Sequence, residues 1–172
     1  MNSPRVTPWQ DGDRAPPALL GNMRARRPRG ELIGIDRVLL RSVPLAEGWN
    51  ELLGRVRAEF SLALEYRELI MLRVAVLNGA TFEWDVHFPA YLQAGGTREK
   101  ADALLQPHPP GLSSLEQLLI ELTDQSTQRV DVDGHLIDAL KLGLGEEQTV
   151  EAVATVAAYN MVSRFLVALG IR

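Results

Sequence analysis

The sequence predicts an all-α bundle of about eight helices, and three observations carry that prediction. Apolar residues recur at three- and four-residue spacing along most of the chain. No stretch shows the alternation of a half-buried strand. Helix punctuation sits between the periodic stretches: Ser113-Ser114-Leu115-Glu116 has the form of a capping box, and Gly79, Gly95-Gly96, Gly143 and Gly170 are natural stops.

Taken in order, residues 1–29 read as an extended N-terminal arm and residues 30–172 as a single all-helical domain. The first 18 residues are rich in Pro, Gly and Asp, so order there requires packing on the body. The basic run Arg24-Ala25-Arg26-Arg27-Pro28-Arg29 is flanked by Asp11, Asp13 and Glu31 and reads as a solvated linker rather than an anion site. Leu32 to Arg41 fits a helix. Pro44 at a first helical position opens another, to Phe60, with Leu45, Trp49, Leu52, Leu53 and Val56 on its apolar face.

The third helix, Tyr66 to Asn78, is apolar nearly all round, as a centrally buried helix must be. The fourth runs from Thr81 to Ala94, with Pro89 expected to bend it. A short helix from Thr97 to Leu105 leads to a rigid loop over residues 106–111. Ser113 caps a helix ending near Gln128. Asp131 or Asp133 opens one ending at Gly143, and Glu146 to Leu169 is the last and longest.

At 172 residues, with 46% hydrophobic and 23% charged residues, the chain can bury a real core. Its net charge of -4 supplies no global basic field, so nucleic acid is not an expected partner. The absence of cysteine excludes disulfides, Cys-ligated metal and thiol redox chemistry. The N-terminus lacks the apolar core of a secretion signal. The most apolar stretch, Val150 to Leu169, is broken by Glu151, Asn160 and Arg164, so no membrane partner is expected and the cytoplasm is the expected location. The last helix is nevertheless apolar around most of its circumference, which predicts contact with another subunit. A central helix in a monomer is the alternative.

Chemistry concentrates between Arg67 and Gly96. Glu83 and His87 are four residues apart and share a helix face, with Glu83 in the first turn. Glu68 lies on the preceding helix, and whether it reaches His87 depends on how the two helices cross. A histidine between carboxylates suits proton transfer near neutral pH. The bland alternative is a helical Glu–His pair. A metal is not expected, because bundle metal sites repeat Glu-x-x-His and this chain has a single Glu-x-x-x-His. Arg164 with Asn160, next to Tyr159, and Arg73 are candidates to hold a substrate carboxylate. Each arginine could equally form a structural pair.

The ordered set Arg67-Glu68-Leu69, Leu72-Arg73-Val74-Ala75, Phe82-Glu83-Trp84 with His87, Ala94-Gly95, Leu122-Thr123-Asp124 and Tyr159-Asn160 with Arg164 resembles the carboxymuconolactone decarboxylase and alkylhydroperoxidase-D-like family. Ile35-Asp36-Arg37-Val38-Leu39 and Gly48-Trp49-Asn50 extend the likeness upstream. The resemblance implies an all-α fold assembled into homo-oligomers, trimers or hexamers, with sites near subunit contacts. Its peroxidase branch uses a Cys-x-x-Cys pair together with a Glu and a His. By spacing the latter two fall on Glu68 and His87, while the cysteine positions hold Ala80 and Glu83.

A thiol peroxidase needs a thiolate, so that branch is excluded. The decarboxylase branch needs no cysteine. It implies a lyase without cofactor acting on a small-molecule carboxylate, with His87, Glu83 and Glu68 as acid–base groups. Arg164, Arg73, Tyr159, Asn160 and Trp84 would stand around the substrate. The competing expectation is a non-catalytic binding or structural oligomer. A cavity beside His87 with converging polar groups distinguishes the two.

Overall fold

The computed structural model describes residues 4–171. Eight α-helices and one 3-10 turn (Pro28–Gly30) follow in the order α1 Pro17–Ala25, α2 Gly34–Leu39, α3 Val43–Ala58, α4 Leu64–Asn78, α5 Thr81–Gln93, α6 Arg98–Ala103, α7 Ser114–Arg129 and α8 Gly134–Leu169. There is no strand among the described residues. The two helices expected after Asp131 run on as α8. Gly145, with φ 83 and ψ 170, breaks the helical path two residues beyond the expected stop at Gly143.

Helix α4 is the axle of the bundle. Leu69, Ile70, Met71, Leu72, Val74 and Ala75 are all buried, and α5, α7 and α8 surround it. The apolar sequence demands this position, since no face of α4 could be left in water without exposing hydrocarbon. Gly79 ends α4 in the left-handed region, φ 63, which an L side chain resists. The Gly79 and Ala80 amides donate to the Val76 and Ala75 carbonyls at 3.2 and 2.9 Å. This tight closure folds α5 back along α4. Pro89 does not end α5, which continues to Gln93. At its far end Gly96 is obligatory, because a Cβ there would lie 2.2 Å from the Tyr91 ring.

The N-terminal arm differs from its expected extended form. It includes α1, whose Leu19 and Met23 enter the core. Trp9 is buried, and its amide donates to the Arg37 carbonyl at 2.8 Å. Arg41 donates to the Thr7 and Pro8 carbonyls, both at 2.8 Å. Pro and Gly content suggests a loose segment, but the Trp9 indole and the Leu19 and Met23 side chains tie it down.

Helix α8 is long and apolar enough to cross a bilayer by length and composition. Leu136, Leu140, Ala152, Val156, Tyr159, Val162 and Leu166 instead pack into the core. Its outer side leaves Val150, Val153 and Met161 exposed.

Candidate active site

The α4–α5 hairpin runs antiparallel about Gly79, so residues roughly equidistant from the turn come level. Glu68 and His87 meet in this way. The His87 Nδ1 and a Glu68 carboxylate oxygen are 2.7 Å apart, both side chains buried. Glu83, one turn before His87 on α5, places Oε2 3.3 Å from Nε2 without the alignment of a hydrogen bond. That oxygen is buried and has no hydrogen-bond partner. The imidazole therefore stands between two carboxylates, one engaged and one with spare accepting capacity.

Burial pulls the His87 pKa down, but the Glu68 hydrogen bond and the nearby Glu68 and Glu83 carboxylates outweigh it and leave the value raised above the ordinary 6.5. The raised pKa favours the protonated ring, and its Nδ1 lies at hydrogen-bond distance from Glu68. The Tyr159 ring stands edge-on to His87 with centroids 5.0 Å apart. Burial pushes its phenol up to about 12, with Arg57 opposing and Glu83 and Glu68 adding to the rise. Tyr159 is thus a neutral wall rather than an acid or base.

Arg57 completes the cluster. Its Nε donates to the Tyr159 hydroxyl at 3.0 Å. Arg67, buried, donates to the Val56 and Arg57 carbonyls at 2.8 and 2.7 Å, capping the end of α3 and fixing Arg57 in place. Sequence reading passed over Arg57. The available signal was its phase: Trp49, Leu53 and Arg57 are successive i,i+4 positions on the inward face of α3.

These groups open on a cavity of about 240 Å³ lined by Arg26, Arg27, Asp36, Arg57, Glu68, Glu83 and His87 on its polar side. Ile35, Leu39, Trp49, Phe82 and Val86 supply apolar wall. Two residues of the basic run read as a solvated linker, Arg26 and Arg27, thus line the cavity. Arg27 makes two parallel bonds to buried Asp36, 2.8 and 2.7 Å. A larger hollow of about 930 Å³ lies between α4, α7 and the Pro-rich loop. Its buried cation, Arg73, is consumed by Asp124 and three loop carbonyls. The smaller cavity holds the converging titratable groups.

The other sequence candidates lie away from His87 or are already occupied. Arg73 belongs to the larger hollow. Arg164 is exposed and reaches only the Thr127 carbonyl, at 3.4 Å. Asn160 is buried in a network with Asn78, Thr127 and Val156. Trp84 stacks on Phe88 and lines a separate surface hollow. No set of three His, Asp or Glu side chains among the described residues has the convergence of a metal site. Both ring nitrogens of His87 already face carboxylate oxygens.

Two solved structures share the architecture. An uncharacterised peroxidase-related protein from Silicibacter superposes with a TM-score of 0.78 at 14% identity, covering 100% of this chain and 90% of its own. A protein of unknown function from Agrobacterium tumefaciens, described as a candidate antioxidant defence protein AhpD, superposes with a TM-score of 0.67 at 19% identity, covering 73% of this chain and 88% of its own. No curated protein matches the sequence. The fold is that of alkylhydroperoxidase-D-like helical proteins, and the sequence holds no cysteine. Residues 44–125, from the start of α3 to within α7, match the Carboxymuconolactone decarboxylase family. The matched segment contains Arg57, Glu68, Glu83 and His87. Arg26, Arg27 and Asp36 lie outside it.

Proposed function

We propose that this protein is a lyase without cofactor that decarboxylates a small carboxylated, lactone-like metabolite in the His87 cavity. The observation that supports the reading is His87 placed between Glu68 and Glu83, with one Glu83 oxygen lacking a hydrogen-bond partner, beside a cavity of about 240 Å³. Decarboxylation breaks a carbon–carboxylate bond. The electron pair passes into an adjacent conjugated carbonyl as CO2 departs, and the resulting enolate carbon then takes a proton. His87 Nε2–H supplies that proton, and solvent restores it. Glu68 fixes the tautomer through Nδ1. Glu83 holds the ring cationic until the transfer.

A non-catalytic scaffold would need neither the cavity nor an unpartnered buried carboxylate, which costs stability. The test is a screen of carboxylated lactones for CO2 release, followed by His87→Gln. A fall in kcat of about 10²- to 10⁴-fold is expected for removal of the general acid. Undiminished turnover in correctly folded H87Q protein removes His87 from the mechanism.

The same reading makes the protein a cytoplasmic homo-oligomer. The exposed stripe Val150, Val153 and Met161 on α8 supports a subunit contact. Light scattering should give a trimer or hexamer, and Met161→Glu should shift it to smaller species. A wild-type monomer at working concentration rejects this part.

A further inference from the structure

Four cationic side chains face the His87 cavity (Arg26, Arg27, Arg57 and His87) against three carboxylates, Asp36, Glu68 and Glu83. Their pairing is unequal. Arg27 and Asp36 saturate each other through two parallel bonds. His87 lies between Glu68 and Glu83, and Arg57 is bonded to Tyr159 while the two glutamates favour its charge. Arg26 alone, exposed at the end of α1 and lining the cavity, makes no side-chain hydrogen bond or ion pair among the described residues. Burial, then the charges of Arg27 and Arg57, lower its pKa, so its surroundings are short of negative charge. Across the cavity the Glu83 Oε2 is buried with nothing to accept from. A spare planar donor at the mouth thus faces a spare acceptor inside.

We propose that Arg26 binds a substrate carboxylate at the mouth of this cavity, while Glu83 Oε2 accepts a hydrogen bond from the same molecule. The proposal rests on the cavity being the substrate site, as read above, but not on the reaction being a decarboxylation. The carboxylate on Arg26 is one that stays with the product. A guanidinium offers two parallel N–H groups to it, the geometry Arg27 already uses on Asp36. Arg26 is then a specificity-determining residue contributed by a segment outside the stretch that matches the family.

The test is calorimetric binding of γ-butyrolactone γ-carboxylate and benzoate, each against its uncharged methyl ester. Wild-type protein should prefer each carboxylate about ten- to hundredfold, the worth of one charge-assisted bond. Arg26→Gln should abolish that preference, and Arg26→Lys should restore part of it, since an ammonium keeps the charge without the planar fork. Arg29→Gln is the control: Arg29 belongs to the same basic run but pairs with Glu31 on the surface, and its loss should change nothing. An unaltered preference in R26Q, or wild-type protein that binds neither acid, overturns the proposal. If the acids bind through Arg26 but no carboxylated lactone releases CO2, the lyase reading fails and the binding site stands. If CO2 is released and R26Q keeps full kcat/KM, the lyase stands and the Arg26 site falls.

Discussion

Two buried ionic groups share helix α4, and they are built to opposite specifications. Arg73 sits against Asp124 in two bonds of 2.7 and 2.6 Å and donates to the carbonyls of Leu104, Gln106 and Pro107. Nothing is left over. Five residues earlier in α4, Glu68 holds His87, whose other neighbour Glu83 keeps an oxygen without a partner. The first arrangement fastens α4 to α7 and to the loop that precedes it. The second leaves buried capacity unused, at a cost to stability that folding alone would not select. Completeness of pairing, rather than burial or charge, separates the structural site from the candidate catalytic one.

Removing either member should expose that difference. Arg73→Leu is the largest expected effect. It strands a carboxylate and three carbonyls, and should cost about 3–5 kcal/mol. The lower end is favoured, because Asp124 keeps 24% of its side-chain exposure. For a chain of this size the melting temperature should drop by on the order of 10 °C, read by calorimetry. Glu83→Gln should behave in the reverse way. Unfolding free energy by urea titration should stay within about 1 kcal/mol of wild type, since no hydrogen bond is lost and one buried charge is removed. Turnover should nevertheless fall about 10²- to 10⁴-fold. Large destabilisation by E83Q would show that Glu83 is as structural as Arg73.

The sequence made the saturated group harder to read than the open one. Arg73 stood as a substrate-carboxylate candidate because a lone arginine in an apolar helix has no visible partner. Asp124 is 51 positions away, and the carbonyls belong to a loop whose path no local pattern specifies. Glu83 and His87 were legible because helical spacing alone places them together. Glu68 required the antiparallel return at Gly79, which the Asn78-Gly79 stop suggested without fixing the crossing. Arg26 and Arg27 were read as solvated because their composition is that of a surface run. Their place in the cavity depends on α1, whose short apolar pattern of Leu19, Leu20 and Met23 is submerged among prolines and arginines. The helices themselves were legible from periodicity and stops. What escaped was the tertiary pairing of long side chains, which carries no periodic signal.

The pH dependence of stability should report the same asymmetry. The His87 pKa is raised in the folded state, so the folded protein binds the proton more tightly than the unfolded chain does. Its contribution is fully present below the unfolded value of about 6.5 and is lost as pH rises through the folded value. Urea midpoints should therefore decline between about pH 6.5 and the upper titration point of His87, tracked by imidazole proton chemical shifts. His87→Gln should flatten that decline, and Arg73→Leu should lower the whole curve without changing its slope. A slope surviving in H87Q would assign the pH response to other groups.

The smallest effect is expected where a buried carboxylate is over-supplied with partners. Glu116 receives the Ser113 amide at 2.7 Å as a capping-box residue and also binds the Lys100 ammonium at 2.7 Å. Its acidity is correspondingly enhanced: burial works against ionisation, but Lys100 and Ser113 prevail and lower the pKa. Lys100→Met removes only the second partner. The lysine side chain is 28% exposed, so water already screens the pair and can replace part of it. The loss should be about 1 kcal/mol, with a change of a few degrees in melting temperature. The pairing rule can fail at this position. If one partner is enough to hold a buried carboxylate, K100M stays close to wild type and Glu83, with no bonded partner, remains the exception in the fold. If K100M falls as far as Arg73→Leu, the number of bonds left to a carboxylate does not measure its role, and the contrast between the two groups on α4 loses its basis.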